Sequence, residues 1–277
     1  MKKILVTTDY SSNSKKGLRF AFQLASQMNC ELVFFHCFQA LIPTTIHQER
    51  IEDALQKQVK DQLHKLERFV ASVLKPMGLK VGKYRCVIVE DLSPERAILD
   101  YIEQKGVDFI CISTRGAGNI MKLIGTNTSK IIEKSPVPVL VVPNTYRAKP
   151  LKKLLYASDL ENIEAEMPVV SSFAKPLGAK VDLVHYYHDL EFKLDAPSLE
   201  EMWRKKYRDL DKVTLKPFEL DLSFANQMEK EVKKMKPGLV VFFTHTNLTW
   251  FAKLFSPNRS EGFSFVTKVP MLVFRKD

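Results

Sequence analysis

The chain has 277 residues, 45% hydrophobic and 27% charged, long enough for two domains that each bury a core. Its longest apolar stretches, such as 137–143 and 239–243, are only strand-length, and the opening Met1-Lys2-Lys3-Ile4 lacks a signal peptide's apolar region, so the expectation is a cytoplasmic protein with no membrane segment. The net charge of +10 is spread: residues 1–143 interleave 20 Lys+Arg with 14 Asp+Glu and show no aromatic-plus-basic platform, so nucleic acid is not an expected partner.

In chain order, an apolar run over 3–8 reads as a first strand and delivers Thr7, Thr8 and Asp9 at its end. A second strand over 31–37 closes on His36 and Cys37. Helical spacing of Ile51, Leu55, Val59, Leu63, Leu66 and Val70 predicts a helix over 48–74. After a third strand at 83–89, Ser93 and Pro94 give the N-cap and first position of a helix over 94–104. A fourth strand at 108–113 ends in Ser113. It leads into a segment with Arg115, Gly116, Gly118 and Gly125, followed by Thr126, Asn127, Thr128 and Ser129 at the start of a helix. Pro138 opens a fifth strand over 138–142, and 144–150 is a polar linker.

The pattern then repeats. Lys3–Asp9 matches Lys153–Asp159 at an offset of 150, and His36 matches His185 at 149. Asp91-Leu92-Ser93 matches Asp221-Leu222-Ser223 at 130, and Val137-Pro138 matches Val269-Pro270 at 132. The second copy has therefore lost about twenty residues from a helical region. Almost wholly apolar strands alternating with amphipathic helices define an α/β protein, with two doubly wound parallel sheets assigned to 1–143 and 150–277.

In such a sheet, ligands sit beyond the carboxyl ends of the strands where strand order reverses. Glycines at 116, 118 and 125 allow close backbone approach, and free N–H groups with hydroxyls at the next helix start suit an anion. The alternative, that these glycines only make turns and Thr126 only caps a helix, stays open. The second copy has no glycine from 244 to 260 and carries Trp250, Phe251, Leu254 and Phe255 there, so it is expected to be structural. His36 and His185 read as histidines at the core edge. The cysteines Cys30, Cys37, Cys86 and Cys111 show no metal-ligand spacing and read as small apolar residues.

Together, Ile4–Ser11, the Phe35-His36 strand end, the Gly116–Thr126 segment and Pro136-Val137-Pro138 resemble the universal stress protein family, in a tandem arrangement. ATP-binding members carry Gly-x2-Gly-x9-Gly-Ser/Thr after the fourth strand. Here Ser113 replaces the first glycine, and eight residues rather than nine separate Gly116 from Gly125. The resemblance implies a strand order 3-2-1-4-5 in each copy, with the fifth strands joining repeats or subunits. It also implies that Asp9 and the backbone near Cys37 hold adenosine, while Gly116, Gly125, Thr126 and neighbours hold phosphates. The ligand expected is ATP or another adenine nucleotide, with Mg as an optional companion. Three readings stand: a nucleotide-binding regulator with a protein partner, a non-binding dimerisation scaffold, and an enzyme. Catalysis ranks last, at most slow ATP hydrolysis, because no base and charge clamp are visible. An intramolecular pseudo-dimer is expected, with a homodimer as the alternative.

Overall fold

The computed structural model describes residues 1–41, 50–114, 126–187, 196–244 and 269–276; in the helix starting at Thr126, side chains are described from Lys130. The first half comprises β1 (Lys2–Thr7), α1 (Ser14–Gln27), β2 (Cys30–Phe38), α2 (Ile51–Leu74) and β3 (Tyr84–Glu90). It continues with α3 (Pro94–Lys105), β4 (Phe109–Ser113), α4 (Thr126–Lys134) and β5 (Val139–Val142). The second half has β6 (Lys153–Ala157), α5 (Ile163–Ala174), β7 (Lys180–Tyr187), α6 (Ala196–Lys206) and β8 (Leu210–Pro217). It ends with α7 (Phe224–Met235), β9 (Leu239–Thr244) and β10 (Met271–Arg275). Helix α6 has 11 residues where α2 has 24, which accounts for much of the drop in repeat offset.

The ten strands among the described residues form one sheet in the order β3-β2-β1-β4-β5-β10-β9-β6-β7-β8. Each half is therefore parallel and ordered 3-2-1-4-5, as expected. The strands are apolar on both sides because helices cover both faces. Ile4, Val6 and Phe34 join one buried cluster with residues of α1 and α2, whereas Leu5, Val33 and Phe35 join the other with residues of α3 and α4. The prolines before β5 and β10 keep their carbonyls in the ladder: Pro138 accepts from the Ile110 amide and Pro270 from the Val240 amide. Ser93 caps α3 by accepting from the Arg96 amide, and Ser223 caps α7 by accepting from the Asn226 amide, both at 3.3 Å.

The halves join through β5 and β10, which pair antiparallel with Leu140 opposite Leu272. These leucines are equivalents at the 132-residue offset, so a pseudo-two-fold axis passes between them. Both are fully buried in one cluster, while Val139, Val141, Met271 and Val273 face the other, the alternation an extended strand requires. Each half would otherwise present an apolar edge strand; their mutual pairing covers both. The 144–150 segment is docked rather than loose. Tyr146 is buried against Phe20, with ring centroids 5.4 Å apart. The Gln27 side chain bonds both the amide and the carbonyl of Leu151. Phe109 packs on Phe173 at 5.5 Å across the junction. Because β5 and β10 run antiparallel, the carboxyl edges of the two halves point to opposite ends of the sheet.

Candidate functional site

Strand order reverses between β1 and β4, so the carboxyl ends of these strands frame the crevice of the first half. The end of β1 is held by a tight set of local bonds. The Thr8 amide donates to the Phe35 carbonyl at 3.0 Å, and the Tyr10 amide to Thr8 Oγ1 at 3.1 Å. The Ser11 amide donates to Asp9 Oδ1 at 3.0 Å, an Asx-type turn that fixes the carboxylate at the tip. Tyr10 takes φ +62°, a left-handed conformation that a side chain adopts only when its surroundings enforce it. Its ring packs tilted at 46° against His36, with centroids 4.2 Å apart, and the Lys65 ammonium lies over it at 4.3 Å.

Burial pushes the Asp9 carboxyl up, but hydrogen bonds from Ser11 and the turn outweigh it, leaving Asp9 below the ordinary carboxylate value. Asp9 makes no ion pair among the described residues. His36 donates Nδ1–H to the Thr8 carbonyl at 2.8 Å, and burial holds its pKa below the usual value. It is a half-buried pin for the β1 end, a bond that its reading as a core-edge histidine does not include. Cys37 is the penultimate residue of β2, its thiol donating to the Asp91 carbonyl at 3.4 Å and pushed up to about 11 by burial. Such a thiol is neither a nucleophile nor a metal ligand in waiting.

Ser113 has a different task from the one its place in the motif suggests. Its Oγ accepts from the Gly17 amide at 3.0 Å, satisfying an otherwise free donor in the first turn of α1. A Cβ on Gly17 would sit 2.4 Å from that oxygen, so a larger residue here would force the Ser113 hydroxyl to turn away and give up this bond. This contact joins residues 96 apart and brings the start of α1 to the mouth of the crevice. Thr114, also buried, bonds the Val142 carbonyl through its amide at 2.9 Å. Helix α4 begins at Thr126, immediately after Gly125, and is tied to α3 by Lys130 and Lys134, which both pair with Glu95. Arg115, Gly116, Gly118 and Gly125 lie outside the described residues, as do the side chains of Thr126, Asn127 and Thr128. The structure thus brings Thr7, Thr8, Asp9 and Ser113 to one edge, with Cys37 at the end of the neighbouring strand.

The second half reproduces the backbone of this edge. The amides of Ser158, Leu160 and Glu161 repeat the three bonds made by those of Thr8, Tyr10 and Ser11, and Leu160 takes φ +66°. His185 meets the Ser158 carbonyl through Nδ1 at 2.9 Å, as His36 meets Thr8. The side-chain chemistry differs. Lys276 pairs with Asp159 Oδ2, with Glu166 at 3.4 Å and with Glu161 at 3.6 Å. Glu166 also accepts from the Tyr156 hydroxyl, which in turn accepts from Ser158 Oγ at 3.0 Å. Sequence reading missed this network, because its lysine lies 117 residues from its aspartate.

A doubly wound parallel sheet with an Asx-turn aspartate at its switch point, built twice, defines a tandem Rossmann-like α/β protein. The universal stress protein family model matches residues 1–143, and the chain belongs to that family. It is 27% identical over 148 residues to a universal stress protein of Bacillus subtilis, a match covering 50% of this chain and 97% of that one. A universal stress protein of Methanocaldococcus jannaschii is 27% identical over 158 residues, covering 51% and 94%. The fold as a whole resembles the crystal structure of a universal stress protein from Archaeoglobus fulgidus, with a TM-score of 0.69 at 15% identity, covering 99% of this chain and 98% of that one. Among the described residues no helix is long and apolar enough to cross a membrane, and no cluster of His, Cys, Asp and Glu is fit to hold a metal.

Proposed function

We propose that the chain is a cytoplasmic stress-linked regulator whose first half, residues 1–143, binds one adenine nucleotide, ATP foremost, at the β1/β4 crevice. The second half, 150–277, acts as its structural counterpart. The observation that carries this reading is the contrast at the two aspartates. Asp9 stands at the crevice fixed by its turn and without an ion pair among the described residues, whereas its equivalent Asp159 is held by Lys276. An ionised carboxylate so placed accepts hydrogen bonds from ribose hydroxyls or a base edge. The glycines at 116, 118 and 125 and the start of α4 at Thr126 then supply backbone donors for phosphates, with Mg as an optional companion. Arg115 and the hydroxyls of Thr126 and Thr128 are assigned to the same phosphates. Nucleotide binding biases contacts with a protein partner; turnover, where it occurs, is slow hydrolysis.

A second reading, a scaffold that binds no nucleotide, is favoured by the continuous ten-stranded sheet, which unites the halves without help from a ligand. Titration calorimetry with ATP separates the two. The regulator reading expects saturable binding that falls at least tenfold in Gly125→Val, because a branched side chain intrudes where phosphate meets the helix start. Absence of heat in the native protein, or unchanged affinity in a folded Gly125→Val, selects the scaffold.

A further inference from the structure

The second half carries an unusual arrangement at the point that corresponds to the crevice of the first. β10, β9 and β6 are neighbours in that order. Lys276, just after β10, has its amide bonded to the Thr244 carbonyl at the end of β9. Its side chain must therefore cross the end of β9 to reach Asp159 beyond β6, spanning the switch-point crevice. The lysine side chain is only 3% exposed, and Glu166 beside it 5%.

A buried ammonium is strongly disfavoured unless it is paired and hydrogen-bonded. Here it has three carboxylate neighbours, Asp159, Glu161 and Glu166, from the β6–α5 turn and α5. Glu166 has one oxygen on the Tyr156 hydroxyl and one facing the ammonium. Burial works against the charge on Lys276, yet the bond to Asp159 and the surrounding carboxylates outweigh it and raise its pKa above the ordinary lysine value. At equivalent positions the first half has Val6 for Tyr156, Gly17 for Glu166, each four residues beyond the asparagine that caps its helix, and Asn144 for Lys276. The acidic lining and the lysine belong to the second half alone.

We infer that the second crevice is a binding site for a primary ammonium group, and that Lys276 is its built-in occupant, closing the crevice to external ligands. The second half is thus filled from within rather than merely worn down. The inference holds whether or not the first half binds nucleotide.

Two experiments on the full chain test it. On the native protein, competitive acetylation mapped by mass spectrometry should modify Lys276 at least ten times more slowly than the exposed Lys105 and Lys180. Equal rates would overturn the inference. In Lys276→Ala, thermal unfolding should begin several degrees lower, and ethylammonium should restore the midpoint saturably where tetramethylammonium at equal ionic strength does not. The larger cation lacks N–H donors and does not fit between the carboxylates. Lys276→Met, which keeps most of the side-chain volume, should stay as destabilised as Lys276→Ala. Recovery in Lys276→Met, or equal rescue by both cations, would show that Lys276 acts by packing or bulk screening. Should Lys276→Ala fail to fold, the acetylation rates alone decide.

Discussion

The ends of β1 and β6 share a backbone and differ in what surrounds their aspartates. Both carry an Asx turn, a left-handed residue after the aspartate and a histidine Nδ1 on the preceding carbonyl. At β1 the aspartate is held by its turn and by serine hydroxyls and makes no ion pair among the described residues; at β6 a buried lysine and two further carboxylates complete the set. Inheritance of the turn is therefore no sign of an inherited ligand. The backbone frame closes the strand and starts the helix in both halves, and side chains brought from distant sequence set what faces the aspartate.

The largest effect that can break this comparison lies at the axis relating the two halves. Leu140→Asp or Leu272→Asp places an unpaired charge in a buried junction and should each cost about 3–5 kcal/mol in urea unfolding. Near-equal losses are expected because the residues are symmetry equivalents; a loss confined to one would remove the pseudo-two-fold account. Next comes Gly17→Ala. Helix propensity alone would make it stabilising by about 1 kcal/mol, but the clash with Ser113 Oγ should turn it into a loss of roughly 1–3 kcal/mol. Adding Ser113→Gly should recover part of that loss, and a Gly17→Ala as stable as the native chain would show that α1 does not depend on this contact.

Smaller are the paired caps. Ser93→Ala and Ser223→Ala should each cost about 1 kcal/mol, and the two should add, since they cap helices in separate halves. Smallest is the acid limb of stability. Asp9 is depressed below its ordinary value, so its ionised form stabilises the fold above about pH 4 and that contribution is lost as pH falls through its folded pKa. Asp9→Asn should flatten the acid-side decline in unfolding midpoint; an unaltered profile would mean the turn does not favour the charged form.

What the sequence made legible was local. Apolar runs placed every strand of the first half to within one residue, and Ser93-Pro94 placed the start of α3. The junction was legible because Val137-Pro138 and Val269-Pro270 repeat and an apolar edge needs a partner. The predicted helix over 48–74 is described from Ile51, its first residues lying outside the described set. The long-range side-chain choices were not legible. Ser113 read as a substituted glycine of a phosphate motif, and only the fold shows its hydroxyl on Gly17. Asp159 read as a repeat of Asp9 lacking a loop, whereas its partner arrives from beyond β10. Periodicity encodes which face a residue takes and carries no record of which distant charge will meet it.

The central claim is that only one of the two crevices is open to nucleotide. Native mass spectrometry of the desalted chain titrated with ATP tests it most directly, because each bound nucleotide adds a discrete mass. One nucleotide per chain is predicted, abolished in Gly125→Val and retained in Lys276→Met. Two nucleotides per native chain, or a single one that survives Gly125→Val in the folded protein, would contradict the account.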